Sequence, residues 1–312
     1  MKTTPVTAAD LSASVIAVPP LARRADLALA PEPNRALVRH LEAGGVSTLM
    51  YGGNANFYHL PLSDYAATLD FIAEAAADKT WVIPSAGADY GKLMDQAGVL
   101  RGRSFPTAMG LPAALPANDS GVATALRRFA DRLGKPIVAY VKAMGYIEPR
   151  TLATLARDGV ICAIKYAIVR DDPAKDAYLA ELVQQVDRSL IVSGIGERPA
   201  IVHWRDFGLR AFTSGSVCVA PRGSTRILQR LKAGDYAGAE KLRAAYLALE
   251  DQRDARGPIR VLHDAVSLAG IADMGPVLPM LANLDDAEKP AVKAAAAALL
   301  QHDRALAQEV AA

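Results

Sequence analysis

The chain has 312 residues, 51% hydrophobic and 22% charged, and its 35 basic and 33 acidic residues leave a formal net charge of +2. This is the composition of an ordinary globular protein with a large core, and the small charge indicates neither a nucleic-acid nor a membrane-surface partner. No signal-peptide pattern opens the sequence, and the apolar stretch at 12–21 is too short to span a bilayer, so we expect a soluble cytoplasmic protein.

Eight short apolar runs, which we interpret as strands, follow one another along the first two thirds of the chain. In chain order they lie at 14–17, 46–51, 81–84, 105–111, 136–141, 160–168, 190–192 and 211–213. The run at 105–111 is the weakest, because Pro106 lacks the N–H that a central strand donates to its neighbour.

Helical patterns separate these runs, with apolar residues at spacings of three and four. Ser63 is the expected cap of the helix after the second run, and Asn118 or Asp119 caps the helix after the fourth. Further helices are predicted at 90–99, around Tyr178 and Leu182, and at 148–157 and 199–207.

This alternation of strands and helices predicts a parallel sheet, since each helix carries the chain back across the sheet. Eight such units favour a (β/α)₈ TIM barrel, which needs about 250 residues. An open doubly wound sheet is the alternative, but Gly52-Gly53-Asn54 lacks the glycine spacing of its phosphate-binding turn. We assign 1–223 to the barrel and 224–312 to a C-terminal helical extension packed on it.

In such a barrel, chemistry takes place at the C-terminal ends of the strands. Four features fall there: the turn Gly52-Gly53-Asn54, Tyr140 on the fifth strand, Lys165 on the sixth, and the turn Gly194-Ile195-Gly196. A phenol, an amine and backbone N–H groups together can bind a carboxylate and transfer protons. Each feature also has an ordinary structural interpretation, as a half-buried strand residue or a tight connection.

Lys165 is the most informative of the four, because it lies within the long apolar run at 160–168. Burial of an ammonium group disfavours its charged form and lowers its pKa. A neutral amine is a nucleophile toward ketones, so this lysine suits Schiff-base chemistry. The ordinary alternative is a strand-end lysine whose head group extends into water or pairs with a carboxylate.

The order of these features resembles the dihydrodipicolinate synthase and N-acetylneuraminate lyase family of class I, pyruvate-dependent aldolases. The resemblance covers roughly residues 12–280. Gly52-Gly53-Asn54-Ala55-Asn56 stands where that family usually has Gly-Thr-Thr-Gly-Glu, Tyr140 on its Tyr-Asn-x-Pro tyrosine, and Lys165 on its Schiff-base lysine. Ser193-Gly194 matches the turn that borders the keto-acid site.

The resemblance implies a lyase, either an aldolase or a dehydratase, that acts on pyruvate or another 2-oxo acid without a cofactor. Lys165 would form the imine, and Tyr140 would shuttle protons. The residues implied in substrate binding are Gly52, Gly53, Asn54, Asn56, Gly194 and Ile195. The resemblance also implies a homo-oligomer, either a dimer or a tetramer.

Several departures from the family pattern argue against a role in lysine biosynthesis. Gly53 and Asn54 replace both threonine hydroxyls, and 111–121 contains no tyrosine for the family's second relay position. The segment after Tyr140 lacks the carboxylate-binding arginine, for which Lys142 is a candidate replacement. Besides Asn54 and Asn56, the sequence offers Tyr58 and His59 as recognition residues for a different 2-oxo acid.

Two alternative functions stay open, and neither involves a metal. One is a catalytically reduced relative that binds a keto acid or sugar acid without turnover, and the other is a hydratase or hydrolase that forms no covalent intermediate. The five histidines are scattered without metal-ligand spacing. Glu197-Arg198 after the strand-seven turn is a candidate ion pair or helix start.

Overall fold

The computed structural model describes residues 1–114 and 116–311, and the side chains as far as 308. Leu115 and the last residue of the predicted extension, Ala312, lie outside the described residues. Eight parallel strands close into a barrel in chain order. They are β1 (Ile16–Ala17), β2 (Thr48–Tyr51), β3 (Trp81–Ala86), β4 (Met109–Gly110), β5 (Ile137–Val141), β6 (Ile161–Tyr166), β7 (Ile191–Ser193) and β8 (Ala211–Ser214). The predicted (β/α)₈ barrel is confirmed.

A short helix, α1 (Ala8–Leu11), precedes the barrel, and one α-helix follows each strand. In order these are α2 (Pro31–Ala43), α3 (Leu62–Ala75), α4 (Tyr90–Arg101), α5 (Asp119–Leu133), α6 (Pro149–Arg157), α7 (Ala177–Gln185), α8 (Glu197–Phe207) and α9 (Pro221–Lys232). Four further helices complete the chain: α10 (Tyr236–Arg243), α11 (Leu247–Arg256), α12 (Pro258–Leu268) and α13 (Lys289–Ala311).

Helix α5 shows how the sequence encodes these elements. The side chain of Asn118 accepts a hydrogen bond from the backbone N–H of Gly121, and Gly134 ends the helix at a φ of 77°. Val122 and Phe129 are among the residues that it buries against the barrel. The cap at Asn118 and this apolar spacing are those predicted from the sequence.

Two local predictions need correction, and one helix was missed. Ser63 does not cap α3, because the helix already begins at Leu62 with Pro61 in the cap position. Only Met109–Gly110 of the run at 105–111 pairs as a strand. Helix α2 was not predicted, since its cap, Ala30, makes no side-chain hydrogen bond and gives no sequence signal.

Helix α9 directly follows β8 and is therefore the eighth barrel helix. The predicted boundary between barrel and extension, at residue 223, lies within this helix. A separation of the chain into two parts at that residue stays a prediction. Asp303 of α13 joins the C-terminal helices to the barrel by accepting hydrogen bonds from the Gly223 N–H at 2.8 Å and from Arg222 Nη1 at 3.2 Å. None of the helices that the structure describes could span a lipid bilayer.

Candidate active site

Lys165 and Tyr140 are neighbours inside the barrel. The two residues pair in register on β6 and β5, and Lys165 Nζ lies 4.4 Å from the centroid of the Tyr140 ring. Tyr166, one residue further on, points outward, where its ring stacks on Tyr178 of α7 at 5.8 Å. Because side chains alternate along a strand, Lys165 faces the barrel interior.

The amine of Lys165 is held in an environment that favours its neutral form. The residue is only 6% exposed, and burial, helped by the positive charge of Lys142, lowers the pKa of Lys165 to about 7. Among the described residues, no carboxylate forms an ion pair with this amine to restore its charge. Near neutral pH a large fraction of the protein therefore carries a nucleophilic amine at this position.

Tyr140 is a proton donor rather than a phenolate near neutral pH. Burial of its hydroxyl raises the pKa of Tyr140 to about 12. Burial raises the pKa of Tyr58, and electrostatic interaction with Tyr140 and Tyr146 adds to this increase. Burial likewise raises the pKa of Tyr146. Tyr146 was not singled out in the sequence, because its loop carries no motif that points to the site.

The turn after β2 is compact. A side chain at Gly52 would press against Ser85 Oγ and Met109 Cε at 3.0 Å or less, so glycine is needed there. The N–H groups of Asn56 and Phe57 donate to the carbonyls of Gly53 and Gly52 and close the turn. A Cβ at Gly53 would meet only the ring of Tyr58, at 3.5 Å.

The two asparagines of this turn bind the protein's own backbone. Asn54 Nδ2 donates to the Val18 carbonyl at 3.0 Å and so ties the turn to the segment after β1. Asn56 is buried in a left-handed conformation with a φ of 59°, and its Nδ2 donates to the Leu278 carbonyl at 3.2 Å. Both residues thus shape the rim of the site through these contacts.

The turn after β7 lies directly against the lysine. A Cβ on Gly194 would lie 3.0 Å from Lys165 Cγ and 2.7 Å from the Tyr166 carbonyl oxygen. Only glycine allows the chain to pass this close to the amine-bearing side chain. The neighbouring Ile195 carbonyl accepts a hydrogen bond from Arg253 Nη1 at 2.7 Å, which anchors the turn to α11.

Glu197 and Arg198 do not pair with each other. Glu197 begins α8 and is fully buried, and it accepts hydrogen bonds from Ser214 Oγ at 2.8 Å and Ser224 Oγ at 2.5 Å. Arg198 instead contacts the acidic residues of α11, including Asp254 at 3.6 Å. The helix-start interpretation of Glu197 is therefore right, and the ion-pair interpretation is wrong.

The chain superposes on solved structures of other proteins. A dihydrodipicolinate synthase from Bacillus clausii superposes with a TM-score of 0.81 at 20% identity, covering 92% of this chain and 97% of that one. A prophage protein of the dihydrodipicolinic acid synthase family from E. coli K12, in complex with pyruvate, gives 0.80 at 20% identity, with coverage of 93% and 98%. Sialic acid aldolase from Ruminococcus gnavus gives 0.81 at 14% identity, with coverage of 95% and 99%.

The chain has the fold of the dihydrodipicolinate synthases and sialic acid aldolases. At these identities the similarity concerns the fold alone. No protein-family model matches the sequence, and no curated protein matches it. In this fold a lysine and a tyrosine lie side by side at the C-terminal ends of β6 and β5.

Lys142 and His59 are the remaining candidates. Lys142 is exposed just beyond β5, and its positive charge helps to lower the pKa of Lys165. His59 is exposed and lines a surface cavity of about 560 Å³ together with Asp26, Asp64 and Met280. Among the described residues, no group of three or more His, Cys, Asp or Glu side chains is arranged to hold a metal ion.

Proposed function

We propose that the chain is a Schiff-base-forming lyase of the dihydrodipicolinate synthase and N-acetylneuraminate lyase family, acting on pyruvate or another 2-oxo acid. One observation carries the proposal: the buried amine of Lys165, with its pKa lowered to about 7, lies 4.4 Å from the ring of Tyr140. The barrel places this pair at the strand ends where such enzymes carry their chemistry.

In the proposed reaction, neutral Lys165 attacks the ketone carbon of the 2-oxo acid. The carbonyl electron pair moves to oxygen, and Tyr140 helps to transfer a proton from nitrogen to that oxygen, which gives a neutral carbinolamine. The hydroxyl then leaves as water with a proton from Tyr140, so that a protonated imine and a tyrosinate remain. The tyrosinate next removes a proton from the adjacent carbon to form a neutral enamine and restores its own hydroxyl.

Carboxylate binding is assigned to the rim opposite the amine. The backbone N–H groups of Gly53 and Asn54 are the donors that we propose for the substrate carboxylate. Gly194 lets the chain pass close to Lys165, and Gly52 lets the other turn pack against Ser85 and Met109. Asn56 and Ile195 hold the two turns in place. We infer that Asn54 acts mainly through its backbone, since its side chain donates to Val18.

The substrate is proposed to differ from that of the lysine-pathway enzymes. Neither Gly53 nor Asn54 offers a hydroxyl, and the exposed amine of Lys142 is a point charge without the fork of an arginine. These features suit a 2-oxo acid whose distal end is not held by a bidentate arginine. Assembly as a dimer or tetramer and a cytoplasmic location stay predictions.

The proposal is tested by reduction of the protein with borohydride in the presence of a panel of 2-oxo acids, followed by intact mass. We expect an adduct whose mass identifies the preferred acid. Lys165→Ala should abolish the adduct, and Lys175→Ala, which removes a largely exposed lysine from the same face, should leave it unchanged. No adduct with any acid would favour a noncovalent reaction, and an adduct without any turnover would favour a binding protein.

A further inference from the structure

The turn after β7 is held from two sides. On the barrel side, the N–H of Gly194 donates to the Tyr166 carbonyl at 2.6 Å. On the outer side, Arg253 of α11 is buried, and its Nη1 donates to the Ile195 carbonyl at 2.7 Å. The turn therefore lies between the strand that carries Lys165 and a helix whose arginine is 58 residues further along the chain than Ile195.

The guanidinium of Arg253 is itself fixed in place. Glu250, one turn earlier on α11, is fully buried, and its Oε1 lies 3.5 Å from Arg253 Nη1 and accepts a hydrogen bond from the Arg198 N–H at 3.2 Å. The Nη2 and Nε atoms of Arg253 contact Asp254 at 3.0 and 3.1 Å. A Cβ on Gly196 would lie 2.8 Å from both Arg253 Nη1 and Glu250 Oε1, so the backbone packs directly on this ion pair. A charged donor enclosed in this way makes a strong, directed hydrogen bond to the turn.

The position of the turn affects the reacting amine. A Cβ on Gly194 would lie 3.0 Å from Lys165 Cγ, so the turn covers the stem of the lysine side chain. If the turn moved outward, water would reach a side chain that is now buried. Hydration favours the charged form of an amine, so the pKa of Lys165 would then rise toward its ordinary value.

We propose that Arg253 is a positioning residue for the reaction, which holds the turn after β7 against Lys165 through the Ile195 carbonyl. The inference rests on the proposed function and deepens it. Glu250 orients the guanidinium, and Arg253 acts through the turn rather than on the substrate. Helix α11 of the C-terminal extension is thereby a support of the active site.

The experiment measures the pKa of the Lys165 amine by acetic anhydride labelling from pH 5 to pH 10, followed by mass spectrometry of the peptide that contains it. The test protein combines Arg253→Met with Glu250→Gln, which removes both charges of the pair and leaves neither one buried and unpaired. We expect the pKa of Lys165 to rise by about one unit, a part of the roughly 3–5 units that full burial can produce. Borohydride trapping with pyruvate at pH 7 should then fall about fivefold, because the neutral fraction drops from about one half to about one eleventh. At pH 10 trapping should match that of wild type.

Two further variants separate positioning from a general effect on the helix. Arg256→Met removes a half-buried arginine of α11 whose side chain donates to Gln252 of the same helix, and it should leave the pKa of Lys165 unchanged. Arg253→Lys keeps a charged donor for the Ile195 carbonyl and should stay close to wild type. Urea unfolding of each protein shows that the measurements are made on folded chains.

An unchanged pKa of Lys165 in the double variant would overturn the inference. The same rise in Arg253→Lys or in Arg256→Met would also overturn it, since the hydrogen bond to the turn would then not be the cause. Failure of wild-type protein to form any adduct with a 2-oxo acid would instead refute the proposed function. The labelling result would still decide the role of Arg253, because it does not depend on a substrate.

Discussion

Lys165 Nζ lies 4.4 Å from the centroid of the Tyr140 ring, and the two residues pair in register on adjacent parallel strands. This relationship brings an amine with a pKa lowered to about 7 against a phenol with a pKa raised to about 12. The pair therefore combines a nucleophile with a proton donor near neutral pH.

The rate of imine formation should increase with pH through about 7 and then level off, because only the neutral amine of Lys165 attacks a ketone. Borohydride trapping at limiting pyruvate, measured from pH 5 to pH 9, gives the profile. Lys142→Ala should move the midpoint to higher pH, because the Lys142 charge helps to lower the pKa of Lys165. Lys175→Ala should leave the midpoint where it is, and equal midpoints in all three proteins would remove Lys142 from the account.

Lys165→Met should stabilise the protein. The folded-state pKa of about 7 lies below the ordinary 10.5, so between these values the unfolded chain binds a proton that the folded chain does not. Wild-type stability should therefore increase with pH across this window, and the cost of the buried lysine should be greatest below pH 7. At 1.36 kcal/mol per pKa unit we expect the variant to gain about 3 to 5 kcal/mol there.

Urea unfolding at pH 6 and at pH 10 checks this prediction. The gain of Lys165→Met over wild type should be large at pH 6 and should nearly disappear at pH 10. A variant that is less stable than wild type at pH 6 would mean that the amine is well solvated or paired.

Tyr140→Phe should uncouple imine formation from turnover. The ring that packs against Lys165 is kept, so some adduct should still be trapped with pyruvate. Proton transfer at the adjacent carbon should fall by about 10²-fold or more, the usual contribution of a positioned acid–base group. Methyl-group exchange measured by NMR gives the rate, and an unchanged rate would exclude Tyr140 from the mechanism.

Gly194→Ala should disturb the lysine, whereas Gly53→Ala should be tolerated. The new methyl group at 194 would lie 3.0 Å from Lys165 Cγ and 2.7 Å from the Tyr166 carbonyl oxygen, but at 53 the nearest atom is 3.5 Å away. Overpacking of this kind costs about 1–3 kcal/mol. Urea unfolding and trapping yield on both variants test the contrast. If the two variants have equal stability and equal trapping yield, the turn after β7 can shift to make room for the new methyl group.

The fold could be predicted from the sequence because buried parallel strands appear as apolar runs with helical patterns between them. Lys165 and Tyr140 could be predicted as partners because each occurs near the end of such a run. The predictions were least accurate where the local sequence signal is poor. In the predicted strand at 105–111, which contains Pro106, only Met109–Gly110 pairs as β4, and α2 begins without a capping side chain.

The finer parts of the site depend on contacts between residues that are distant in the sequence. Packing of Tyr58 over Gly53 follows from a left-handed Asn56 whose amide binds Leu278, more than two hundred residues away along the chain. The partners of Glu197 come from β8 and α9. Local propensity and spacing carry no information about such contacts, so these roles could not be derived from the sequence.

The most direct test of the account is to locate the reduced adduct by peptide mapping after borohydride treatment with pyruvate or the preferred 2-oxo acid. We predict that the added mass lies on the peptide containing Lys165 and on its amine. An adduct on a different lysine, with Lys165 unmodified, would contradict the assignment of this residue as the Schiff-base nucleophile.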